Sequence, residues 1–483
     1  MDEDPRLTVL GTGYLGLAHA ACLAEAGFRV LGVDTDEGLI SALNAGRPVI
    51  HEPALAGMVR GGLSSGHLTF TTSYRRAAVF GDVHFVCVGT PARADGSADL
   101  SQVEGCLDRL APLLDRPCLV VGKSTVPAGT ARRLAARLAA CCPAGTAVEL
   151  AWNPEFLREG RAVADTKRPD RIVAGVSSRR AEAALRRLYA GQIAAGVPFV
   201  VTDVTTAELV KLAANAFLAM KISFVNGMAG ICESTGADAA VLASALGHDP
   251  RIGAAGMRPG LGFGGGCLPK DTAALAQQAA ELGADETAAL LSSVSAINRQ
   301  RRGRMVELAA SLAGGTLDGA TVGVLGLAFK PGTDDIRDSP ALAVAAAVAD
   351  AGAAVTGYDP AAAGRARLAL PSLRYAASVA EAARGADVLL VLTDWPQFAD
   401  ADPAELGRLV AKRNVADGRH VLDPARWRAA GWRYRALGGR WQDSPDDDGE
   451  TAAAAGEHPE RHEPMSQRSI QASNSSVSTG LVT

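Results

Sequence analysis

Gly11, Gly13 and Gly16 stand between a short apolar run, Leu7-Thr8-Val9-Leu10, and an apolar stretch of helical character from Leu17 to Ala26. Glycine at these positions permits a tight strand-to-helix turn and lets phosphate oxygens approach the backbone amides of the helix N-terminus. A second strand, Arg29 to Val33, ends in Asp34, 18 residues after the last of the three glycines. Strand, G-x-G-x-x-G, helix, strand and acid in this order predict a βαβ unit that holds a dinucleotide. The carboxylate at Asp34 suits a free ribose and repels a 2′-phosphate, which favours NAD over NADP.

The alternation continues along the chain. Val83 to Val88 reads as a strand ending at Gly89-Thr90-Pro91, and Cys118 to Gly122 as another ending at Lys123-Ser124-Thr125-Val126-Pro127. Ala147 to Trp152 leads into Asn153-Pro154-Glu155-Phe156-Leu157-Arg158-Glu159-Gly160. Each apolar run stops in small polar residues, where parallel sheets present their loops to ligands. From about residue 205 the pattern changes to long helices, and Lys211 and Asn215 fall four apart on one helical face. Strand character returns at Ala320 to Gly326, followed by a helix from Pro340 to Ala351, a strand from Ala354 to Tyr358, and strands at Asp387–Leu392 and His420–Leu422. The fold class expected is α/β: two Rossmann-like, doubly wound parallel-sheet domains joined by a central α-helical domain. The boundaries expected are 1–204, 205–315 and 316–441. Residues 442–483, rich in Asp, Glu, Ser and Gly and almost free of aromatics, are expected to form a disordered tail.

Within the helical region lies Pro259-Gly260-Leu261-Gly262-Phe263-Gly264-Gly265-Gly266-Cys267-Leu268-Pro269-Lys270-Asp271. Five glycines expose the backbone to a ligand, and a cysteine follows them with a lysine and an aspartate three and four residues on. A neighbouring lysine is expected to favour the thiolate, the form that attacks carbonyl carbon. Lysine is scarce: Lys123, Lys167, Lys211, Lys221, Lys270, Lys330 and Lys412 are the only seven among 48 basic residues. Four of them, Lys123, Lys211, Lys270 and Lys330, fall in the motifs described, where a compact ammonium does what a guanidinium does not.

Bulk composition narrows the partners. A net charge of −4 with no basic stripe argues against nucleic acid. No apolar run reaches the ~18 residues that a membrane span needs. The eight cysteines show no C-x-x-C pair, so no metal site is expected. The acidic start, Met1 to Arg6, does not read as a signal peptide, and a cytoplasmic protein with reduced thiols is expected.

The ordered motifs GTGYLGL from Gly11, Gly89-Thr90-Pro91, KSTVP from Lys123, NPEFLREG from Asn153, ELVKLAAN from Glu208, GFGGGCLPKD from Gly262, GLAFKPGTDDIRDSP from Gly326 and DGRHVLDP from Asp417 resemble those of the UDP-glucose/GDP-mannose dehydrogenase family. The resemblance runs from about Leu7 to Gly439 and is nearest the UDP-glucose branch. It implies a four-electron oxidation of a primary alcohol to a carboxylate with NAD, through a thiohemiacetal and thioester on Cys267. It further implies that Lys211 stabilises oxyanions, Asn215 orients them, Asp271 positions water, Glu155 acts as acid/base in hydrolysis, and Thr125 stands near the reacting centre. NAD contacts are implied for Gly11, Gly13, Tyr14, Leu15, Gly16, Asp34, Thr90, Thr125, Glu159, Lys270 and Arg337. Nucleotide-sugar contacts are implied for Glu155, Phe156, Leu157, Arg158, Glu159, Lys211, Asn215, Arg251, Phe263, Gly264, Phe329, Lys330 and Arg419. Arg251 matches a residue delivered across a homodimer interface made by the central helices. Leu39 and Gly256 depart from the family pattern, which has a basic residue near the adenosine and a bulky residue before the cysteine loop.

Other readings keep part of this chemistry. A dTDP-glucose, GDP-mannose or UDP-N-acetylhexosamine substrate would change the sugar nucleotide only. A two-electron dehydrogenase of the hydroxyacid type needs neither the cysteine loop nor a second nucleotide domain. A silent nucleotide-sugar binding protein would not need Cys267, Lys211, Asn215, Asp271 and Glu155 together.

Overall fold

The computed structural model describes residues 4–50 and 52–439; the expectation for 442–483 lies outside the described residues. Short apolar runs pair into two sheets. The first takes β1 (Leu7–Leu10), β2 (Val30–Val33), β3 (Leu68–Thr71), β4 (Val83–Val86), β5 (Cys118–Gly122), β6 (Val148–Trp152), β7 (Ile172–Gly175) and β8 (Phe199–Thr202). Their order is β3-β2-β1-β4-β5-β6-β7-β8, parallel throughout except where Trp152 of β6 faces Gly175 of β7 antiparallel. The second takes β9 (Thr321–Leu325), β10 (Ala354–Tyr358), β11 (Arg374–Tyr375), β12 (Val388–Val391), β13 (Asn414–Asp417) and β14 (Arg433–Ala436), in the order β11-β10-β9-β12-β13-β14. Both sheets therefore share the doubly wound order 3-2-1-4-5-6, with the crevice for a ligand beside the first strand of each.

One strand lies elsewhere than expected. The apolar Val421-Leu422 pair is not in the sheet; β13 is Asn414–Asp417, and its centre, Val415 and Ala416, is fully buried between β12 and β14. The chain leaves the sheet at Asp417, whose Oδ2 accepts the Val421 and Leu422 amides and so holds those residues in the turn that follows. Strands β3, β7, β8, β11 and β14 also lie outside the segments read from sequence.

Two long helices separate the sheets. Asp203 caps the helix Val204–Thr235, accepting the Thr205 amide at 2.9 Å and the Thr206 amide at 3.0 Å, and Gly236 ends it with φ 76°. Its buried face runs Ala207, Lys211, Asn215, Ala219 and Ser223, so the helical period alone carries Lys211 and Asn215 inward. The helix Asp285–Ala313 packs beside it, with the shorter helix Leu268–Glu281 against both.

The glycine run is clamped between these helices and the second sheet. A Cβ at Gly264 would stand 2.3 Å from the Asp338 carbonyl oxygen, and one at Gly265 would stand 2.7 Å from the Phe329 ring. Asn298 of the helix Asp285–Ala313 accepts the Phe263 amide at 2.8 Å and donates to the Phe263 carbonyl at 2.9 Å, pairing with the loop as a neighbouring strand would. Both groups are buried, so Asn298→Ala leaves an amide and a carbonyl unpaired. The expected loss is about 1–3 kcal/mol, read as a lower melting temperature in thermal denaturation; an unchanged melting temperature would show that the loop is held elsewhere.

Candidate active site

The turn after β1 is built for a dinucleotide. Gly11 has φ +89°, and a Cβ at Gly16 would lie 1.8 Å from the Gly11 carbonyl oxygen, so strand and helix meet at a distance only glycine allows. The helix Tyr14–Glu25 begins with no side-chain cap, which leaves its first amides for a pyrophosphate. Asp34, at the end of β2, accepts the Thr12 amide at 2.8 Å and thereby fixes its carboxylate at the turn. A cleft of about 540 Å³ opens here, lined by Gly11, Gly13, Asp34, Tyr74, Cys106 and Arg109. These features fit NAD: a glycine turn, free helix amides and a ribose-side carboxylate around one cleft. The Arg109 guanidinium lies 5.9 Å from the Tyr74 ring centre and gives the cleft the cation that residue 39 does not supply. Leu15 packs against the apolar core beneath the turn.

Tyr14 turns its ring away from that cleft. Its hydroxyl accepts the Gly160 amide at 2.6 Å and bonds to the buried Glu52, whose Oε2 also accepts the Gly160 amide at 2.9 Å. Burial and the Glu52 hydrogen bond hold the Tyr14 phenol protonated far above its ordinary range. The first turn of the cofactor helix is thus tied to the loop that follows β6. Glu52 lies in a stretch without periodicity, and nothing local in the sequence marks it.

A crevice lined by Thr90, Thr125, Leu212, Lys270 and Asp271 leads from the first sheet to the reactive cluster. Lys211 Nζ stands 2.9 Å from Glu155 Oε1, with only 4% and 13% of the two side chains exposed. Glu155 Oε2 accepts the Leu157 amide at 2.6 Å. Asn215 Nδ2 donates to Asp271 Oδ2 at 2.6 Å, and Lys270 Nζ to Asp271 Oδ1 at 2.5 Å. Cys267 stands at the N-cap position of the helix Leu268–Glu281 without a side-chain cap, and its thiol feels the charges of Glu155, Lys211, Asp271 and Lys270. Burial, the largest single influence, raises the Glu155 carboxyl, but Lys211 together with the Leu157 amide and Lys123 outweighs it and holds the pKa below the ordinary value. Burial likewise lowers Lys211, and Glu155, Cys267 and Asp271 together reverse the sign and raise it.

Cys267 departs from expectation. Burial, then Glu155, pushes its thiol up to about 11, against the lowering pull of Lys211 and Lys270. The two lysines do not make a thiolate because each ammonium is already paired, one with Glu155 and the other with Asp271.

The loop Glu155–Gly160 meets the second sheet's loop Phe329–Asp338. Lys330 Nζ donates to the Glu159 carbonyl at 2.7 Å, and Arg337 Nη2 to Glu159 Oε1 at 2.9 Å. Burial and Asp335 raise Glu159 to about 7. The Phe156 ring lies under the Arg171 guanidinium at 3.7 Å with Lys211 Nζ at 5.6 Å. Arg158 forks onto Asp165 at 2.9 and 2.6 Å. Arg419 donates to the carbonyls of Leu392, Gly262 and Phe329, so its guanidinium fastens three loops together. Arg251 is the one expected residue set apart: it pairs with Asp249, and its side chain is 87% exposed.

Comparison with known proteins finds three successive matches to one family. Residues 5–193 match the NAD binding domain of the UDP-glucose/GDP-mannose dehydrogenase family, 205–300 its central domain and 323–424 its UDP binding domain. The UDP-glucose 6-dehydrogenase of Rhizobium meliloti (strain 1021) is 42% identical over 436 residues, 90% of this chain and 99% of that one. The UDP-glucose 6-dehydrogenase of Pseudomonas aeruginosa is 40% identical over 451 residues, 90% and 97% of the two chains. Among solved structures, a UDP-glucose dehydrogenase from Pyrobaculum islandicum superposes with a TM-score of 0.84 at 39% identity, covering 90% of this chain and 98% of that chain.

The raised thiol has a direct consequence. Iodoacetamide labelling of Cys267 in the free protein should be slow at about pH 7 and rise about tenfold per pH unit to beyond pH 9, followed on the Cys267 peptide by mass spectrometry. A rate that levels off by about pH 8 would show a thiolate formed near neutrality.

Proposed function

Because the chain belongs to the UDP-glucose/GDP-mannose dehydrogenase family, we propose that it oxidises the C6 alcohol of UDP-glucose to the carboxylate of UDP-glucuronate, consuming two NAD⁺ and one water. The observation that carries this reading is the convergence of the Lys211–Glu155 pair and the Asn215–Asp271–Lys270 chain on Cys267. The curated relatives named UDP-glucose 6-dehydrogenase support UDP-glucose as the sugar nucleotide. Residues 1–204 form the NAD-binding part, 205–315 the helical part with the cysteine loop, and 316–441 the nucleotide-sugar part.

NAD⁺, when bound, takes the two hydrides that this four-electron oxidation removes from C6. The residues of the chain do the rest. Asp271 receives the alcohol proton, and the Lys211 ammonium faces the oxyanion that develops on C6. Cys267 Sγ adds to the aldehyde carbon while its proton passes to the carbonyl oxygen, giving a thiohemiacetal that cannot diffuse away. Asn215 orients that oxygen from the same helical face as Lys211. Once C6 is a thioester, Glu155 acts as base toward the attacking water, and Asp271 helps to position it. Phe156, Leu157, Arg158, Phe263, Gly264, Phe329, Lys330 and Arg419 shape the nucleotide-sugar side. Glu159, Thr90, Thr125, Lys270 and Arg337 serve the side where the dinucleotide meets it.

A homodimer fits the outer face of the helix Val204–Thr235. Phe217, Phe224 and Ile231, spaced seven apart, are 60%, 51% and 55% exposed. Such a stripe suits the same helix of a second copy, and Arg251, exposed in one chain, then reaches the partner's nucleotide-sugar site. No described helix is long and apolar enough to cross a membrane. The free cysteines suit a reducing compartment, and we assign the protein to the cytoplasm.

Initial rates with UDP-, dTDP- and GDP-sugars should be highest with UDP-glucose and yield two NADH per sugar. A ratio of one would indicate a two-electron dehydrogenase, and no turnover a silent binding protein. Cys267→Ser should abolish uronate production while leaving nucleotide binding intact, and normal production by this variant would sink the covalent route. Lys211→Ala should lower kcat by about 10²–10³-fold with little change in KM. A change confined to KM would make Lys211 a binding residue only.

A further inference from the structure

Glu155 has a second side. Behind it lies a cavity of about 50 Å³ whose floor is His19, Lys123, Asn153 and Tyr189 and whose rim is Phe156, Asp170 and Arg171. The floor residues are 2–6% exposed, whereas Asp170 lies on the surface, so the cavity runs inward from solvent as far as Glu155. Polar groups stand at its inner end among apolar walls that include Pro154, Leu157 and Ile172. Lys123 Nζ donates to Asn153 Oδ1 at 2.8 Å and to Tyr189 Oη at 3.3 Å, with no carboxylate in contact among the described residues. His19 Nε2 is buried without a hydrogen-bond partner among the described residues, its ring edge-on to Phe85 at 4.6 Å. A buried imidazole nitrogen of this kind is satisfied by water, and the cavity has room for about three to five waters at about 10–15 Å³ each.

Resting on the covalent reading above, we propose that this cavity is the path by which water reaches the Cys267 thioester. With the sugar nucleotide and the dinucleotide bound as proposed above, the front of the site would be occupied during hydrolysis. The consumed water then needs another entry, and Glu155, the proposed base, lines the cavity. The step balances with one water. Its oxygen bonds to C6, the C6–Sγ bond breaks, one proton returns to Sγ, and the carboxylic acid releases the other to solvent. Lys123 holds the inner end polar and adds positive charge behind the Glu155 carboxylate. The scarcity of lysine along this chain fits such a buried role, since an ammonium presents a single point charge where a guanidinium would fill the space.

Two variants test the path on the full-length protein. His19→Phe removes the unpartnered nitrogen at similar ring size, and Ile172→Phe fills the cavity from β7, where Ile172 lines it. Either variant that folds, judged by its melting curve and NAD binding, should show kcat lowered about tenfold. Acid-quenched samples should carry an uronyl-nucleotide adduct on Cys267 in mass spectra, accumulated well above the wild-type level. Both variants turning over at the wild-type rate would overturn the path, as would a fall in kcat without accumulated adduct, because the slowed step would not be hydrolysis. A wild type that forms one NADH per sugar removes the thioester step, and with it this path. That failure is read before any variant is made and is distinct from the other two.

Discussion

The Lys211–Glu155 ion pair is the interaction on which the rest of the site depends. Two opposite charges are withdrawn from water and held by each other, and Glu155 is held by the Leu157 amide as well. Removing one partner of such a pair strands a buried charge, at a cost of about 3–5 kcal/mol. A buried pair is a weak device for stability, because apolar residues of similar size commonly do as well. Its value here lies in placement. It brings the long helix Val204–Thr235 and the loop after β6 to one point beside Cys267, and it keeps there a dehydrated ammonium that, in the proposed reaction, meets the negative charge on the substrate.

That placement is supported from three directions. Tyr14 and Glu52 fasten the loop after β6 to the first turn of the cofactor helix through Gly160. Lys330 and Arg337 fasten the same loop to the second sheet through Glu159. Arg419 and Asn298 hold the glycine run that ends at Cys267. The loop Glu155–Gly160 is therefore the common contact of the dinucleotide cradle, the reactive cluster and the second sheet. A charge change at Glu159, whose carboxyl sits near neutrality, acts on that shared contact. Protonated, Glu159 faces Asp335 without repulsion; ionised, it strengthens the pair with Arg337.

The parts legible in the sequence are those with local causes. The glycine turn at Gly11 and the acid at Asp34 are fixed by backbone geometry within one βαβ unit. Lys211 and Asn215 are placed by helical period alone. The strand at Asn414–Asp417 was hidden because its two ends are polar and only Val415 and Ala416 read as apolar, while the more apolar Val421-Leu422 is held in a turn by Asp417. Asn298 and Glu52 act through partners 35 and 108 residues away, which no local pattern encodes. The raised Cys267 thiol was misread for a similar reason. The lysine in its own motif was visible, but the carboxylates that neutralise both nearby lysines arrive from elsewhere in the fold or bind the lysine first.

A resting thiol at this pKa suits the proposed chemistry better than a standing thiolate. Before substrate arrives, a protonated Cys267 resists alkylation and oxidation, which act on the thiolate. Addition to an aldehyde needs no free thiolate, since the thiol proton ends on the carbonyl oxygen that Lys211 faces. The difficulty moves to the last step, because a thiol of high pKa leaves slowly from a thioester. Two features act against that difficulty. Cys267 stands at the N-cap position of a helix of 14 residues, and the positive end of the helix favours charge on Sγ as the C6–Sγ bond lengthens. Lys211 and Lys270, both already drawing the thiol pKa down, gain weight once a proton on Glu155 cancels the carboxylate that opposes them most. On the proposed route, a proton taken from water at Glu155 would both generate the nucleophile and make Sγ a better leaving group, coupling the two halves of hydrolysis through one side chain.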